Sequence, residues 1–265
     1  MELTNENYYS KEANLEYISV SQYKDFKKCE FYGLMKALGE FVEPKSTALL
    51  AGGYADSYFS GKLEQYKLEN PQIFKKDGTL KSDYEKANEC INVALNDEFF
   101  MSKLSGEKQL ILTGKINGCK VKGALDFLND DIVDLKLVAS IRELAWNDKK
   151  KKKLNFIENY DYDTQGAVYQ ELVRQNYKTK KPFDIAALSK EDEPDKAIIR
   201  IEDDILEEKL KEFADYIPRI NAIKSGVVEP EHCGCCPCCR KYNKLNRVVS
   251  YKELFNKGDN DVNIE

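Results

Sequence analysis

Apolar residues in the first hundred positions of the chain recur at helical spacing. They return every three or four residues up to about residue 104, which places them on one face of a helix. Ser19 and Ser21, which precede the first strong run, are of a residue type that favours the N-cap of a helix. The spacing predicts helices over residues 22–42, 46–61 and 83–96, followed by a short helix that ends near residue 104.

From residue 107 to residue 138 the pattern changes to alternation, which is typical of strands. Turn signals at Asn117-Gly118 and Asn129-Asp130 divide this stretch into a meander of three strands. Further along, the pattern predicts a loop over 140–160, a helix over 160–177, strands over 181–190 and 196–202, and a helix over 203–226 that is interrupted at Pro218.

This order of elements indicates a single α/β domain over residues 1–265. It comprises a helical N-terminal portion (1–105), an α/β core (106–225), a cysteine-rich segment (226–245) and a tail (246–265). No apolar run approaches the roughly 20 residues that a membrane helix needs. The first 17 residues lack the basic and apolar parts of a signal peptide. We therefore expect a cytoplasmic protein that does not enter a membrane.

The balance of charge restricts how the chain could bind nucleic acid. Its net charge of −5 argues against a surface that attracts DNA everywhere, so DNA binding would need a local basic feature. The predicted loop over 140–160 contains one, and contacts from it to phosphates would not depend on base sequence. A loop that only aids solubility is the alternative interpretation. The run consists of Lys149, Lys150, Lys151, Lys152 and Lys153.

Three charged residues interrupt the apolar strands between residues 123 and 137. Asp126, Asp134 and Lys136 stand among leucine, isoleucine, valine and phenylalanine residues that belong in a core. A buried charge without a partner costs several kcal/mol, so ordinary strands avoid it. These groups therefore either neutralise one another or hold a metal ion.

The length of the turn over residues 129–131 decides how the two acids are placed. A three-residue turn sets Asp126 opposite Asp134, with Cβ atoms roughly 4.5–5.5 Å apart. Lys136 then lies on the same face of the sheet, because side chains alternate along a strand. Two such carboxylates repel each other unless a cation lies between them, and hard oxygen ligands suit Mg²⁺ or Mn²⁺. A two-residue turn would send the acids to opposite faces.

A second motif lies in the helix over 160–177. In "DTQGAVYQ", Gln165 and Tyr169 are four residues apart and share one helix face. Together with "GALD", which contains Asp126, and "DLK", which contains Asp134 and Lys136, this motif resembles those of the PD-(D/E)xK nuclease superfamily. Within it, the chain is most similar, over residues 18–245, to the RecB-type branch and its phage and prophage RecE-like exonucleases, the exodeoxyribonuclease VIII type.

The resemblance implies both a fold and a chemistry. The fold would be α/β with a restriction-endonuclease-like core, in which helices flank a central mixed sheet. The activity would be metal-dependent exonucleolytic cleavage of DNA. Asp126, Asp134 and the backbone carbonyl of Leu135 would bind Mg²⁺ or Mn²⁺, and Lys136 would orient the attacking water or stabilise the charge that develops on the phosphate.

The same resemblance assigns roles to residues outside the two strands that carry Asp126, Asp134 and Lys136. Gln165 and Tyr169 would position the DNA strand and Lys136. Members of the branch commonly carry a glycine followed four residues later by a histidine, whereas "GGYAD" offers Asp56 there, and the one histidine of the chain is His232. Asp56 is therefore expected to be a further metal ligand. Such enzymes usually work in phage recombination beside a single-strand annealing protein, and some form homo-oligomers.

Five cysteines fall within seven residues of "EHCGCCPCCRKY". Cys233, Cys236 and Cys239 have C-x-x-C-x-x-C spacing, which lets thiolates converge on zinc or on an iron–sulfur cluster. Several RecB-type nucleases take a fourth ligand from an N-terminal cysteine after a Ser-x-Ser helix start. The resemblance thus implies Cys29 as that ligand and a [4Fe–4S] cluster. Zinc remains the alternative, because the best-known members have more residues between the last two cysteines of the motif.

Two other classes of function remain beside the nuclease. The first is a catalytically inactive, nuclease-fold DNA-binding protein with a structural zinc or iron–sulfur site, and the missing histidine favours it. The intact set of Asp126, Asp134 and Lys136 favours the enzyme. The second is a zinc-dependent regulatory protein, which would explain the cysteines but not the acidic hairpin.

Overall fold

A five-stranded mixed sheet forms the centre of the fold in a computed structural model that describes residues 1–148, 150–244 and 247–252. The strands are β1 (Glu107–Ile116), β2 (Cys119–Leu128), β3 (Ile132–Val138), β4 (Ala145–Asn147), β5 (Lys152–Leu154), β6 (Phe183–Ser189) and β7 (Lys196–Ile201). The sheet has the order β1-β2-β3-β6-β7, while β4 and β5 form a separate hairpin. Strands β3 and β6 are parallel, and the other neighbours in the sheet are antiparallel.

Helices precede the sheet, connect its strands and follow it. They are α1 (Lys11–Glu16), α2 (Val20–Lys28), α3 (Glu30–Ala37), α4 (Thr47–Phe59), α5 (Leu63–Glu69), α6 (Ser82–Leu95), α7 (Glu98–Lys103), α8 (Phe156–Asn159), α9 (Tyr162–Tyr177), α10 (Asp203–Lys224) and α11 (Pro237–Lys241). In the part of the chain that the structure describes, none of these helices combines the length and apolar character needed to cross a bilayer.

Apolar residues are buried on both faces of the sheet. Helices α2, α9 and α10 cover one face, where Leu172 and Phe213 are fully buried. Helices α4, α6 and α7 cover the other face, where Tyr54 and Ile91 are buried. Burying each such side chain contributes about 1.5–3 kcal/mol to the free energy of unfolding. The predicted fold class, an α/β fold with helices on both sides of a central mixed sheet, is confirmed.

Three local predictions differ from the structure. The helix expected over 22–42 is divided at Cys29, whose backbone is extended (φ −171°, ψ 124°). The last long helix, α10, continues through Pro218, because Ile217 and Ile220 are buried beside it and hold it against the sheet. The expected loop over 140–160 contains the β4–β5 hairpin and α8, so the basic run lies on a hairpin.

Candidate active site

The candidate site lies where β2 and β3 separate. Their backbone pairing covers only the positions beside the turn, where Phe127 pairs with Val133 and Leu128 pairs with Ile132. This is the register of a three-residue turn, and one further step along it sets Asp126 opposite Asp134. Beyond that point the N–H of Leu135 donates to Oδ2 of Asp126 at 2.9 Å. A carboxylate thus takes the place that a backbone carbonyl has in a regular ladder, and the strands open into a fork.

Asp134 is the most buried acid of the fork, with 1% of its surface exposed. Its Oδ1 accepts a hydrogen bond from Nε2 of Gln165 at 2.8 Å. Its Oδ2 forms an ion pair with Nζ of Lys136, but within the described residues it accepts no hydrogen bond of normal geometry. Lys136 also donates to the carbonyl of Leu135 at 3.3 Å and lies 4.9 Å from the ring centre of Tyr162. Asp134 is therefore held on one oxygen by Gln165 and on the other by the ammonium group of Lys136, beside which a metal ion would bind.

Burial and mutual repulsion shape the ionisation of the acids. Burial raises the pKa of Asp126 well above its ordinary value, and the charges of Asp134 and Asp56 raise it further. Burial also raises the pKa of Asp56 to about 6, an effect that Lys136 opposes and Asp134 reinforces. Burial alone would lower the pKa of Lys136, but Asp134 and Asp126 outweigh it, so the amine stays charged. The carboxyl groups of Asp56, Asp126 and Asp134 therefore repel one another when ionised, and the ammonium group of Lys136 attracts them.

These residues fit a divalent metal ion. Asp56, Asp126 and Asp134 line one cavity of about 270 Å³ together with Lys136. Carboxylate oxygens are the ligands that Mg²⁺ and Mn²⁺ prefer, and the three acids that meet here share the ammonium group of Lys136 as a close cationic neighbour. A cation among these groups would offset the repulsion that, together with burial, raises the pKa of Asp126.

Asp56 reaches this cavity from α4, on the opposite side of the sheet from α9. Nε2 of Gln109, on β1, donates to the two oxygens of Asp56 at 3.0 and 3.3 Å. Gln109 has a left-handed backbone conformation (φ 52°), which is uncommon for a residue other than glycine and costs about 1 kcal/mol. The sequence motifs did not identify Gln109, because a single glutamine in a strand carries no signal for such a role.

Gln165 and Tyr169 lie together as expected, but their partner differs from the expected one. Nε2 of Gln165 donates both to Asp134 and to the hydroxyl of Tyr169, the latter at 3.1 Å. The pair therefore orients Asp134, whereas the ring beside Lys136 is that of Tyr162. We expected the pair to position the DNA strand and Lys136, and a role toward the DNA strand stays a prediction.

Two glycines of the motifs allow this close packing. A Cβ atom on Gly123 would lie 2.9 Å from the ring of Tyr169, and one on Gly166 would lie 2.4 Å from the ring of Phe183. A side chain at either position would push α9 away from the sheet. The glycines of "GALD" and "QGAVY" thus keep Gln165 within reach of Asp134.

Two further lysines line the cavity, and the motifs identified neither. Lys24, on α2, donates to the carbonyl of Tyr160 at 2.5 Å, and burial lowers its pKa to about 8. Lys122, on β2, donates to the carbonyl of Tyr8 and to Oδ1 of Asn14, and burial lowers its pKa to about 8 as well. Lys24 is partly exposed at the cavity, whereas the ammonium group of Lys122 is buried and bonded to the N-terminal segment.

Lys150, Lys151, Lys152 and Lys153 of the basic run lie on the β4–β5 hairpin, beside the start of α9. Lys150 donates to the carbonyl of Glu158 at 3.0 Å and to Oδ1 of Asp161 at 3.3 Å. Lys151, Lys152 and Lys153 are exposed. Lys149 lies outside the described residues. Because Asp161 is the N-cap residue of α9, the hairpin adjoins the helix that carries Gln165.

The structure brings together the four cysteines expected to bind a metal. The sulfur atoms of Cys29, Cys233, Cys236 and Cys239 all lie within 4.8 Å of one another. Cys29 reaches the group because α2 ends there and α3 starts from an extended residue. The sulfur of Cys235 is 3.7 Å from that of Cys233, but Cys235 is exposed and lies outside the group. Such a cluster can bind a metal.

Comparisons with known proteins agree with the fork and its motifs. Residues 19–242 match the family described as PDDEXK-like domain of unknown function (DUF3799). A crystal structure of a candidate exonuclease from Eubacterium rectale is 47% identical, with a TM-score of 0.91, and the match covers 97% of this chain and 99% of that one. No curated protein matched. The chain belongs to this family of PDDEXK-like domains, in the PD-(D/E)xK nuclease superfamily.

Proposed function

We propose that this protein is a metal-dependent exonuclease that hydrolyses phosphodiester bonds of DNA. The observation that carries the proposal is the fork, where Asp126, Asp134 and Lys136 meet beside a cavity and Gln165 fixes Asp134. An inactive DNA-binding protein would have no need to keep these three charges in contact, because a buried carboxylate that lacks a metal lowers the stability of the fold.

Asp126 and Asp134 would hold a Mg²⁺ or Mn²⁺ ion, with Asp56 and the carbonyl of Leu135 as further oxygen ligands. A divalent ion polarises the scissile phosphate and supplies hydroxide near neutral pH. Gln165 holds one oxygen of Asp134, and the other oxygen, which faces Lys136, would be shared between that ammonium group and the ion. Lys136 keeps its proton because of the neighbouring acids, so its ammonium group can stabilise negative charge on the phosphate oxygens.

Several cations around the fork support DNA as the substrate. Lys24 lines the cavity, where it could bind the phosphate next to the cleaved bond, and Lys122 adds a buried positive charge to the wall of the cavity. The lysines of the basic run, Lys149 to Lys153, would bind phosphates farther along the DNA strand without distinguishing bases. The fork lies inside a cavity in which Asp134 is almost fully buried, and this favours a strand end over the middle of a duplex.

The biological setting that we propose rests on the RecE-like resemblance. In that setting the enzyme resects DNA ends during phage or prophage recombination, and a single-strand annealing protein acts on the product. An oligomer of several copies is consistent with the same resemblance.

The experiment that tests the function compares linear DNA with covalently closed circular DNA of the same sequence. With Mg²⁺ or Mn²⁺ we expect the linear form to be degraded progressively from its ends and the circle to persist; chelation of the ion should stop degradation. Binding of both forms without hydrolysis would establish the inactive DNA-binding protein instead. Cleavage of the circle would show an endonuclease.

A second prediction concerns Lys24. The substitution Lys24→Gln should raise the KM for DNA about tenfold, because one charge-assisted hydrogen bond to phosphate is lost. Lys24 is charged below its pKa of about 8 and neutral above it. The difference in KM from the wild type should therefore be largest below pH 8 and should narrow as the pH rises.

Lys27→Gln is the matched control, since Lys27 is exposed on the same helix and lies over the ring of Tyr216 instead of the cavity. Steady-state kinetics across this pH range measure both variants. An equal KM for Lys24→Gln and the wild type at every pH would contradict a phosphate contact at Lys24.

A further inference from the structure

The spacing of the four clustered sulfurs identifies the kind of metal centre that they can form. Every pair among Cys29, Cys233, Cys236 and Cys239 is at most 4.8 Å apart. Cys29 and Cys239 are separated by 3.6 Å, and Cys233 and Cys239 by 3.9 Å. Four thiolates around one zinc ion at about 2.3 Å form a tetrahedron with edges of about 3.8 Å. The separations of 3.6 and 3.9 Å match such edges, and the upper bound of 4.8 Å for every pair is far closer to this tetrahedron than to a wider cluster.

A [4Fe–4S] cluster, which the RecB-type resemblance implies, needs a wider arrangement. Each cysteine there binds a different iron at a different corner of the cluster, so the sulfurs stand roughly 6 Å or more apart. The four sulfurs of this protein leave no room for such a cluster between them. We propose that they bind a single tetrahedral zinc ion instead.

Backbone groups around the sulfurs suit thiolate ligands. The N–H of Cys236 points to the sulfur of Cys233, and the N–H of Cys239 points to the sulfur of Cys236, each at 3.3 Å. Donors of this kind stabilise a thiolate and orient it toward its metal. Three of the four residues, Cys29, Cys236 and Cys239, are also buried, which excludes water from the ion.

Contacts that involve no sulfur hold the two parts of the site together. The N–H of Phe31 donates to the carbonyl of Glu231 at 3.1 Å, and the N–H of Glu231 donates to Oε2 of Glu30 at 2.8 Å. Arg219, on α10, donates to both oxygens of Glu30. The ring of Phe31 stacks on that of His232 with 3.9 Å between their centres. The site is therefore largely formed by the fold itself.

The zinc ion connects the C-terminal segment to the helix that borders the nuclease cavity. Cys29 follows the last residue of α2, and α2 carries Lys24 into the cavity. The ion thus fixes one end of this helix. Its role is structural, because the four thiolates fill its coordination sphere and leave no open position for a substrate.

The test is elemental analysis of the full chain, purified without air and without added metal. We expect about one zinc per chain and neither iron nor acid-labile sulfide. Titration with a mercurial thiol reagent should release this zinc to a colorimetric indicator. Replacement of zinc by Co²⁺ should give the visible absorption of tetrahedral thiolate coordination. Iron with sulfide, or a chain that holds no metal, would overturn the proposal.

Two cysteine variants separate ligation from mere proximity. Cys29→Ser should reduce the zinc content at least about tenfold or fold poorly without it. Cys235→Ser should keep its zinc, although Cys235 lies 3.7 Å from a ligand. A loss of zinc in Cys235→Ser with full zinc in Cys29→Ser would refute the assignment of the four ligands. The wild-type measurements decide the metal whether or not Cys29→Ser folds, and they do not depend on nuclease activity.

Discussion

Asp126→Asn is expected to abolish metal-dependent hydrolysis of DNA and, in the absence of metal, to make the protein more stable. Asparagine has nearly the same shape, and its oxygen can still accept the hydrogen bond from the N–H of Leu135. The substitution thus removes a charge and leaves the fork intact. Loss of the ion and of its polarisation of the phosphate should lower the rate at least about 10³-fold.

The gain in stability follows from the repulsion among the acids. Burial raises the pKa of Asp126 most, and the charges of Asp134 and Asp56 raise it further, so a charged carboxylate at this position is unfavourable without a cation. Its removal should increase the free energy of unfolding by about 1–2 kcal/mol, as is common when a functional site gives up its strain. In a domain of this size each kcal/mol raises Tm by about 2–4 °C.

Thermal unfolding with and without Mg²⁺ gives the clearest measurement. The wild type should gain stability when Mg²⁺ is added, since a ligand that binds the folded state raises Tm. Asp126→Asn should start from a higher Tm and gain little. Asp130→Asn, which removes the same charge from an exposed position in the β2–β3 turn, should behave as the wild type in both assays. A lower Tm in metal-free Asp126→Asn would contradict repulsion in the fork.

The sequence predicts this site because its geometry is mostly local. The length of one turn sets the register of Asp126 and Asp134, and the helical period sets Gln165 and Tyr169 on one face. The fold class follows from the same periodicities, because long alternating and helical runs leave few ways to bury their apolar faces.

Other parts of the site depend on contacts between distant residues. Gln109 bonds Asp56 across 53 positions, and Lys122 bonds the carbonyl of Tyr8 across 114. No local spacing encodes such a contact, because it arises only when α4 and the N-terminal segment pack on the sheet. Lys24 is likewise an unremarkable helical lysine until the structure places it in the cavity.

The division of the predicted helix at Cys29 is another feature that local spacing does not predict. Helical spacing continues through residues 22–42, so periodicity predicts one helix there. The chain instead turns at Cys29, whose sulfur joins cysteines more than 200 positions away. Tertiary contacts can override local preference at a single residue, and here the residue is one of the proposed metal ligands.

Lys136→Met should lower kcat about 10²–10³-fold while leaving DNA binding nearly unchanged. Methionine keeps most of the volume of lysine but cannot donate to the phosphate oxygens on which charge develops, and one such donor is worth a factor of this size. Lys136 also lowers the pKa of Asp56, which is about 6 in the wild type. Without Lys136 that pKa should be higher, so Asp56 ionises, and the metal binds, only at higher pH.

Kinetics at saturating Mg²⁺ and at several pH values separate these two effects. A loss due only to weaker metal binding should disappear at high pH and high Mg²⁺, whereas loss of the donor should persist. Lys115→Met, which removes an exposed lysine from β1, two strands away in the sheet, should keep full activity. If high pH and Mg²⁺ restored Lys136→Met to the wild-type kcat, Lys136 would act by holding the acids ionised, and its direct contact with the reacting phosphate would be ruled out.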